Sequence, residues 1–228
     1  MSKRIGWAVG VGLVLSMAST SSWAEGGGWY FGVTGGQAEP DLNQAVLDEI
    51  VLDGFSVVGT VLDGSSTLDD SDTSFSLFGG YRFSQYVAVE AGYVDFGTAE
   101  YRASGLIDPF GPQPTLPATY SADFEVAGFT ATAVGAIPIG AMFDVHGRAG
   151  ILFADTEINE VVAISNASES ASYSASSEDF FYGLGVGLQM GQNWSFSLDW
   201  QQFKDVGDDD ETGETDVNRL SLGVSYKL

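Results

Sequence analysis

Apolar side chains recur at every second position in segment after segment of this chain, which is the pattern of β-strands with one apolar face. In a strand, residues i and i+2 share a face, so Leu220, Leu222, Val224, Tyr226 and Leu228 lie together. The residues between them are polar, charged or glycine. Eight such segments are predicted, over residues 29–37, 73–83, 87–98, 122–137, 142–155, 179–190, 195–203 and 216–228.

The connections between these segments alternate between short and long. The short ones cover 84–86, 138–141 and 191–194, and the long polar ones cover 38–72, 99–121, 156–178 and 204–215. A soluble β-sandwich, the alternative architecture, has no reason to keep the two kinds at opposite ends. A transmembrane β-barrel does, because short turns face the periplasm and long loops face outside. We therefore predict an all-β chain, an eight-stranded antiparallel up-and-down transmembrane β-barrel with both termini in the periplasm.

The apolar faces of the predicted strands suit contact with lipid. No charged residue interrupts any of them, and a charge there would cost about 2–4 kcal/mol at the bilayer midplane. Aromatic residues gather at segment ends, where two interfacial girdles are expected. They include Trp29, Phe83, Phe143, Phe153, Trp200 and Tyr226.

Composition excludes several classes of function. The 228 residues include 31 acidic and 8 basic side chains, for a formal net charge of −23. This balance argues against nucleic-acid binding, because phosphate contacts need Lys and Arg. The chain has no cysteine, which excludes disulfides, thiolate zinc sites and cysteine nucleophiles. Its aromatic content of 13% is too high for a disordered acidic chain.

The first 24 residues have the pattern of a secretory signal peptide. Lys3 and Arg4 precede an uncharged, mostly apolar run over 5–17, and the tripeptide ending at Ala24 follows the small-x-small cleavage rule. The alternative, a membrane anchor, needs about 20 apolar residues. We therefore predict cleavage after Ala24, which leaves 25–228 as one outer-membrane barrel domain in a Gram-negative envelope.

Several stretches resemble the transmembrane domain of the outer membrane protein A family, with OmpX-type small barrels as relatives. They are Trp29-Tyr30-Phe31-Gly32, Phe78-Gly79-Gly80-Tyr81, Gln85-Tyr86-Val87, Glu90-Ala91-Gly92-Tyr93, Gly147-Arg148-Ala149-Gly150 and the segment 220–228. The last stretch is similar to the closing strand of the family, which doubles as its assembly signal. Leu228 stands where the family usually has phenylalanine. The resemblance implies a barrel without the family's periplasmic peptidoglycan-binding domain, since the chain stops at strand eight.

The inward-facing positions predict a polar plug across the lumen, because eight strands leave an interior that side chains can fill. Counting from the short turns places Glu90, His146, Arg148 and Asp199 in one layer. We predict that Arg148 bridges Glu90 and Asp199. Arg82 lies diagonal to Glu90 on the neighbouring strand and is predicted as its second partner. Room for these long side chains is expected opposite them, at Gly183, Gly185 and Gly187.

The resemblance implies a similar charge cluster, since the family carries inward salt bridges at positions matching Glu90, Arg148 and Asp199. The family's particular gate is not carried over, because uncharged residues stand at other charged positions of its pattern. These are Val134, Gly187 and Ser197. Two interpretations stay open. One is a structural and surface-interaction protein with a closed polar core and acidic extracellular loops, and the other is a narrow gated channel for small solutes or ions.

No catalytic, cofactor or metal site is predicted, and the protein is not expected to be an enzyme. His146 is the sole histidine and lies low in the lumen beside Arg148, whereas barrel enzymes place nucleophile and base near the outer rim or lipid interface. The acidic run 208–211 lacks the spacing of a calcium loop.

The long loops are predicted to be solvated and acidic, with a short helix over 45–52 and a mobile Ser- and Ala-rich stretch over 165–178. The expected partners are outer-membrane lipid and lipopolysaccharide, together with periplasmic chaperones and the barrel-assembly machinery. The protein is expected to be a monomer that binds no nucleic acid.

Overall fold

The computed structural model describes residues 27–112, 114–208 and 212–228, so the predicted signal peptide lies outside the described residues. The described part is almost entirely β-strand, with one helix. In chain order the elements are β1 (Gly28–Pro40), α1 (Gln44–Ser56), β2 (Gly59–Asp69), β3 (Asp72–Arg82), β4 (Val87–Pro109), β5 (Leu116–Ile139), β6 (Phe143–Ile164), β7 (Ala167–Met190), β8 (Trp194–Asp208) and β9 (Gly213–Lys227).

Eight of these strands close into a ring, in which each strand pairs antiparallel with two neighbours. The order around the ring is β1, β3, β4, β5, β6, β7, β8, β9 and back to β1. A closed ring satisfies the backbone hydrogen bonds of every strand and leaves no open edge in the membrane. The predicted eight-stranded antiparallel barrel is therefore confirmed. The remaining strand, β2, pairs with the part of β4 that extends beyond β3.

The two ends of the barrel differ strongly. We call the end with the connections 83–86, 140–142 and 191–193 the turn end, and the opposite end the hairpin end. The segments predicted as long loops are largely paired strands at the hairpin end, because β6 and β7 stay paired up to Ile164 and Ala167. The stretch 165–178, predicted as a mobile loop, mostly belongs to β7. The outward faces of these hairpins are mostly polar, which hides a strand from a search for an apolar outward face.

A single helix occupies the connection between β1 and β2, at the place where a short helix was predicted. Asn43 caps α1, since its side-chain oxygen accepts a hydrogen bond from the backbone N–H of Ala45 at 3.0 Å. The side chain of Gln44 donates to Ser66 Oγ on β2 at 2.8 Å. Within the described ranges, no helix has the length and apolar character that crossing a membrane would require.

The apolar faces predicted to meet lipid point away from the lumen. Phe129 is 65% exposed and Leu222 is 68% exposed, whereas Thr132 and Ser221, at inward positions of the same strands, are buried. Apolar surface this continuous around a barrel needs an apolar environment to cover it. The outward faces therefore form a lipid-facing band.

Two bulges reverse which alternate positions face the lumen. One lies between Asp95 and Thr98 on β4, where Gly97 has a positive φ of 80°. The other lies between Phe203 and Val206 on β8. A bulge inserts one residue into one strand of a pair, so the alternation changes phase beyond it. On β4 and β8, inward positions beyond the bulge therefore cannot be counted from the turns.

Candidate functional site in the barrel lumen

Four of the five predicted plug residues meet in one bonded cluster. The guanidinium of Arg148 bonds to Glu90 through Nη1 and lies 3.1 Å from Asp199 Oδ1 through Nε. His146 Nε2 lies 2.7 Å from the same Asp199 oxygen. We call Glu90, His146, Arg148 and Asp199 the ion layer. Asp199 is 2% exposed and His146 is 6% exposed, so these contacts are shielded from water.

Three glycines on β7 bring these side chains together. Gly185 lies opposite His146 on β6 and opposite Asp199 on β8, so the two side chains meet over a position that has none. A Cβ at Gly185 would lie 2.5 Å from Asp199 Oδ1. In the same way, Gly183 lies between Arg148 on β6 and Gln201 on β8, and Gly187 lies between Asp144 and Ser197. The lumen-facing side of β7 therefore has no side chains at these positions, and this gap, which we call the trough, lets polar groups of β6 and β8 bond across it.

The remaining hydrogen-bonding capacity of the carboxylates is met by two neighbours that were not predicted from the sequence as their partners. The Tyr30 hydroxyl donates to Glu90 Oε1 at 2.6 Å, and the Ser197 hydroxyl donates to Asp199 Oδ2 at 2.6 Å. Tyr30 reaches Glu90 because Gly80 lies between them, opposite both. Buried charges are tolerated when they are paired and hydrogen-bonded in this way.

Both ring nitrogens of His146 face carboxylates. Nδ1 lies 2.8 Å from Asp144 Oδ1, and Nε2 lies 2.7 Å from Asp199 Oδ1. An ionised carboxylate only accepts hydrogen bonds, so this geometry suits an imidazolium that donates through both nitrogens. His146 then acts as a second cation beside Arg148.

Arg82 lies outside the ion layer. Its guanidinium carbon is 5.8 Å from the centroid of the Tyr30 ring, a cation–π distance. Glu90 bonds instead to Arg148 and Tyr30. The predicted Arg82–Glu90 pair was therefore wrong, because Tyr30 takes the second carboxylate oxygen.

A second arginine forms its own polar level next to the ion layer. Arg219 is 3% exposed, and its guanidinium donates only to neutral oxygens among the described residues. The acceptors are Ser74 Oγ at 2.9 Å, Gln201 Oε1 at 3.0 Å and Thr34 Oγ1 at 2.5 Å. Three strands are thereby tied to β9 through one side chain.

Apolar side chains fill the lumen beyond Arg219, toward the hairpin end. Phe203 stacks on Phe181 with ring centroids 4.7 Å apart and meets Phe96 edge-on at 4.8 Å. We call this cluster the apolar layer. Its members are Ala38, Val94, Phe96, Leu152, Ala154, Phe181, Phe203, Val206 and Val217. This layer was not predicted from the sequence, whose inward charges indicated a lumen closed by polar groups.

Cavities lie on both sides of these layers. One of about 360 Å³ at the turn end is bordered by Tyr30, Arg82, Asp144 and Lys227 among others. Another of about 360 Å³ lies at the hairpin end, above the apolar layer. Between them, a cavity of about 40 Å³ touches Arg148, Arg219 and Phe203. The lumen is therefore divided into two chambers by the ion layer and the apolar layer in series.

Comparisons with solved structures find small outer-membrane barrels of low sequence identity. Neisserial surface protein A is 14% identical with a TM-score of 0.48, over 90% of this chain and 100% of that one. Ail of Yersinia pestis is 16% identical with a TM-score of 0.45, over 89% and 97%. OprG from Pseudomonas aeruginosa is 15% identical with a TM-score of 0.41, over 89% and 97%. The chain has no significant match among curated proteins.

The family comparison covers the whole barrel. The model of the OmpA-like transmembrane domain matches residues 25–228, from just before β1 to the end of β9. The match includes every strand of the ring and all residues of the ion layer. The chain therefore belongs to the OmpA-like transmembrane domain family of Gram-negative outer-membrane β-barrels.

Proposed function

We propose that this protein is a closed outer-membrane barrel, which acts through its stability and its exposed hairpins rather than by conducting solutes. The observation that carries the proposal is the double closure of the lumen. The ion layer and the apolar layer lie in series between the two 360 Å³ cavities. An eight-stranded barrel has an interior that side chains can fill, whereas an aqueous channel needs about 16 strands.

The two layers oppose a permeating ion for different reasons. To open the ion layer, Arg148 would have to leave Glu90 and Asp199 together, and breaking a buried pair typically costs about 3–5 kcal/mol. The apolar layer offers no hydrogen-bonding partner to a hydrated ion, and apolar constrictions close pores by excluding water. A path through the lumen would have to overcome both obstacles.

We further propose that the hairpin end faces the outside of the cell and the turn end faces the periplasm. Short periplasmic turns and longer external loops are the rule for bacterial barrels. The hairpins would then present an acidic surface above the lipid-facing band, next to lipopolysaccharide. A structural role in the outer membrane and contact with lipopolysaccharide fit this placement.

Conductance in planar bilayers tests the closed state. We expect refolded wild type to show no discrete steps, and Arg148→Ala or Phe203→Ala alone to stay closed because one layer remains. Arg148→Ala combined with Phe203→Ala should conduct. Phe129→Ala removes an equal ring from the lipid-facing band and serves as the matched control. Discrete steps in wild type would instead support the channel.

Single cysteines test the orientation, since the chain has none of its own. Ser165→Cys lies at the tip of the β6–β7 hairpin, and Ser84→Cys lies in a turn at the other end. A membrane-impermeant maleimide on intact cells should label position 165 and spare position 84. Labelling of position 84 but not of position 165 would show that the proposed orientation is wrong. It would say nothing about whether the lumen is closed.

A further inference from the structure

Strand β7 has an unpaired edge at the hairpin end. It pairs with β6 from Ala167 at the tip to Leu188, whereas its pairing with β8 begins only at Phe181. Near the start of that pairing, the N–H of Gly207 on β8 donates to Ser177 Oγ at 3.3 Å. Closer to the tip, alternate backbone N–H and C=O groups of β7 face no second strand among the described residues. We call residues 167–175 the open edge.

The open edge lacks the features that usually keep edge strands from pairing. Strand β2 also has an unpaired edge among the described strands, but a bulge interrupts it between Leu62 and Ser65, and Asp63 there has a φ of 49°. Bulges and charges are the common protections of such edges. The register of β6 with β7 has no bulge, and Glu169 is the single charged residue of the open edge. This stretch is therefore suited to bind another strand.

The open edge is complementary to itself when two copies run antiparallel about Ala171. Glu169 then lies opposite Tyr173, whose exposed hydroxyl can donate to the carboxylate. The other pairs join like residues of small size: Ser170 with Ser172, Ser168 with Ser174, Ala167 with Ala175, and Ala171 with itself. No two like charges are opposed. The partner's hairpin turn at Ser165 ends beside Ser177, where the contact with β8 begins.

The direction of β7 determines where the second copy lies. Strand β7 runs from the tip of its hairpin toward the turn end, and barrel strands tilt by about 35–45° from the membrane normal. Two copies in one membrane share this direction, so their β7 strands cross at no more than about 90° and cannot run antiparallel. A copy in a facing membrane is inverted, and its β7 runs the opposite way.

We propose that the open edge binds the open edge of a second copy in an opposing outer membrane, which joins two cells through one continuous sheet. The contact is isologous, and backbone hydrogen bonds supply its affinity, as when an extended segment adds to a sheet edge. The tip at Ser165 lies twelve residues beyond the lipid-facing Phe153, which is about 40 Å along the strand. The inference rests on the proposed orientation, because the hairpin end must face outside. Within one membrane the protein stays a monomer.

Nanodiscs that hold one full-length barrel each test the pairing itself, because both faces of a disc are accessible. We expect the discs to sediment partly as pairs, in a fraction that rises with concentration. Single cysteines read the register, since opposed Cα atoms lie about 4.5–5.5 Å apart, within the reach of a disulfide. Ser168→Cys mixed with Ser174→Cys should cross-link. Neither should cross-link alone, because each residue lies roughly 20 Å from its own copy.

A charge exchange at Ser170 and Ser172 supplies matched controls. When both become lysine, lysine opposes lysine across the pair, and when both become glutamate, glutamate opposes glutamate. Each variant alone should associate at least about 10-fold more weakly than wild type. A mixture of the two should recover pairing, because each lysine then meets a glutamate. Folding of each variant is checked by heat-modifiable gel mobility.

Cells that display the protein carry the test to the outer membrane. Wild-type cells should clump, cells with either charged variant should not, and the two charged populations should clump when mixed. If wild-type cells clump and each charged variant clumps equally well, the open edge is not the contact between cells.

Three outcomes with the discs would overturn the proposal. Discs that stay single at every concentration would show that the open edge does not bind its own copy and is left for a strand of another protein. Cross-linking of Ser172→Cys with Ser174→Cys in place of the 168–174 pair would move the axis to Tyr173. Failure of the mixed charge variants to recover would remove the strand pairing. Paired discs without maleimide labelling at position 165 on cells would instead show that the orientation is wrong and the pairing correct.

Discussion

The ion layer and the apolar layer block the same lumen, but they depend on different properties of their residues. In the ion layer each bond joins one donor to one acceptor, as Arg148 joins Glu90 to Asp199. In the apolar layer the aromatic rings of Phe96, Phe181 and Phe203 pack without any directional bond. We therefore expect a substitution in the ion layer to act through the hydrogen-bonding groups that it changes, and one in the apolar layer to act through the side-chain volume that it changes.

The largest effect is expected from removing the central cation of the ion layer. Arg148→Ala leaves Glu90 and Asp199 buried without their shared partner, so the free energy of unfolding should fall by about 3–5 kcal/mol. Changing both carboxylates to amides in that variant should restore part of the loss, because the repulsion disappears. Urea titration of the refolded barrel in vesicles measures both.

Arg82→Ala is the matched control for this change. Arg82 also faces the lumen, but among the described residues it makes no ion pair, and its contact is with the Tyr30 ring. We therefore expect a loss of less than about 1 kcal/mol. Equal losses for the two arginines would show that the bonds of Arg148 add nothing to stability.

The apolar layer should respond to volume instead. Leu152 is fully buried in this layer, so Leu152→Ala should leave a cavity and lower the free energy of unfolding by about 2–5 kcal/mol. Leu152→Met nearly conserves the volume and should cost less than about 1.5 kcal/mol. The same urea titration applies. Equal losses for the two variants would contradict packing as the source of this layer's stability.

A smaller effect is expected from adding one methyl group to the trough on β7. The new Cβ of Gly185→Ala would lie 2.5 Å from Asp199 Oδ1, so the His146–Asp199 contact must shift, at a cost of about 1–3 kcal/mol. Gly35→Ala is the control, because a Cβ there meets nothing within 4 Å. If both glycines tolerate alanine equally in the unfolding titration, the trough does not hold the ion layer together.

The fold was predictable from sequence where one face of a strand is apolar and the other is not. This contrast located the ring of eight strands and its turns. It failed in the hairpins, whose outward faces are mostly polar, and beyond Gly97 and Asp205, where the bulges change the phase. Alternation does place Phe181 toward the lumen, between the outward residues Phe180 and Tyr182. The apolar layer was missed because only the charged inward positions were considered as a plug.

The ion layer was reached by distance from the turns, which placed Glu90, Arg148 and Asp199 near one another. The contact of Glu90 outside this group was not predicted correctly. The diagonal position of Arg82 on the neighbouring strand favoured it as the partner of Glu90, whereas the partner is Tyr30. A signal for Tyr30 was present in the sequence, since Gly80 lies between the two strands that carry Tyr30 and Glu90. Inward glycines flanked by polar residues on both neighbouring strands are the pattern to search for. Whether the cluster acts as a gate or as a structural plug stays a prediction.

The smallest effect concerns the helix α1, which side-chain hydrogen bonds tie to β2 and β4. Tyr101 on β4 donates its hydroxyl to Asp48 on α1 at 2.6 Å. Burial and the nearby Asp48 raise the pKa of Tyr101 to about 12, so the phenol keeps its proton at neutral pH. Tyr101→Phe should therefore lower the stability of α1 locally by about 0.5–1.5 kcal/mol and leave global unfolding unchanged.

Hydrogen exchange of the α1 amides measures this loss, and its pH dependence has a definite sign. Hydrogen bonds from Ser66 and Tyr101 hold the pKa of Asp48 below its ordinary value. The stabilisation is then fully present above the ordinary pKa of about 3.9 and is lost as the pH falls through the lower folded value. Protection of α1 should be level between about pH 5 and 8 and should fall only in stronger acid, less steeply in Tyr101→Phe. Tyr173→Phe, at an exposed tyrosine of β7, should change neither quantity. Protection that fell between pH 8 and 5 would place the contact on another titrating group.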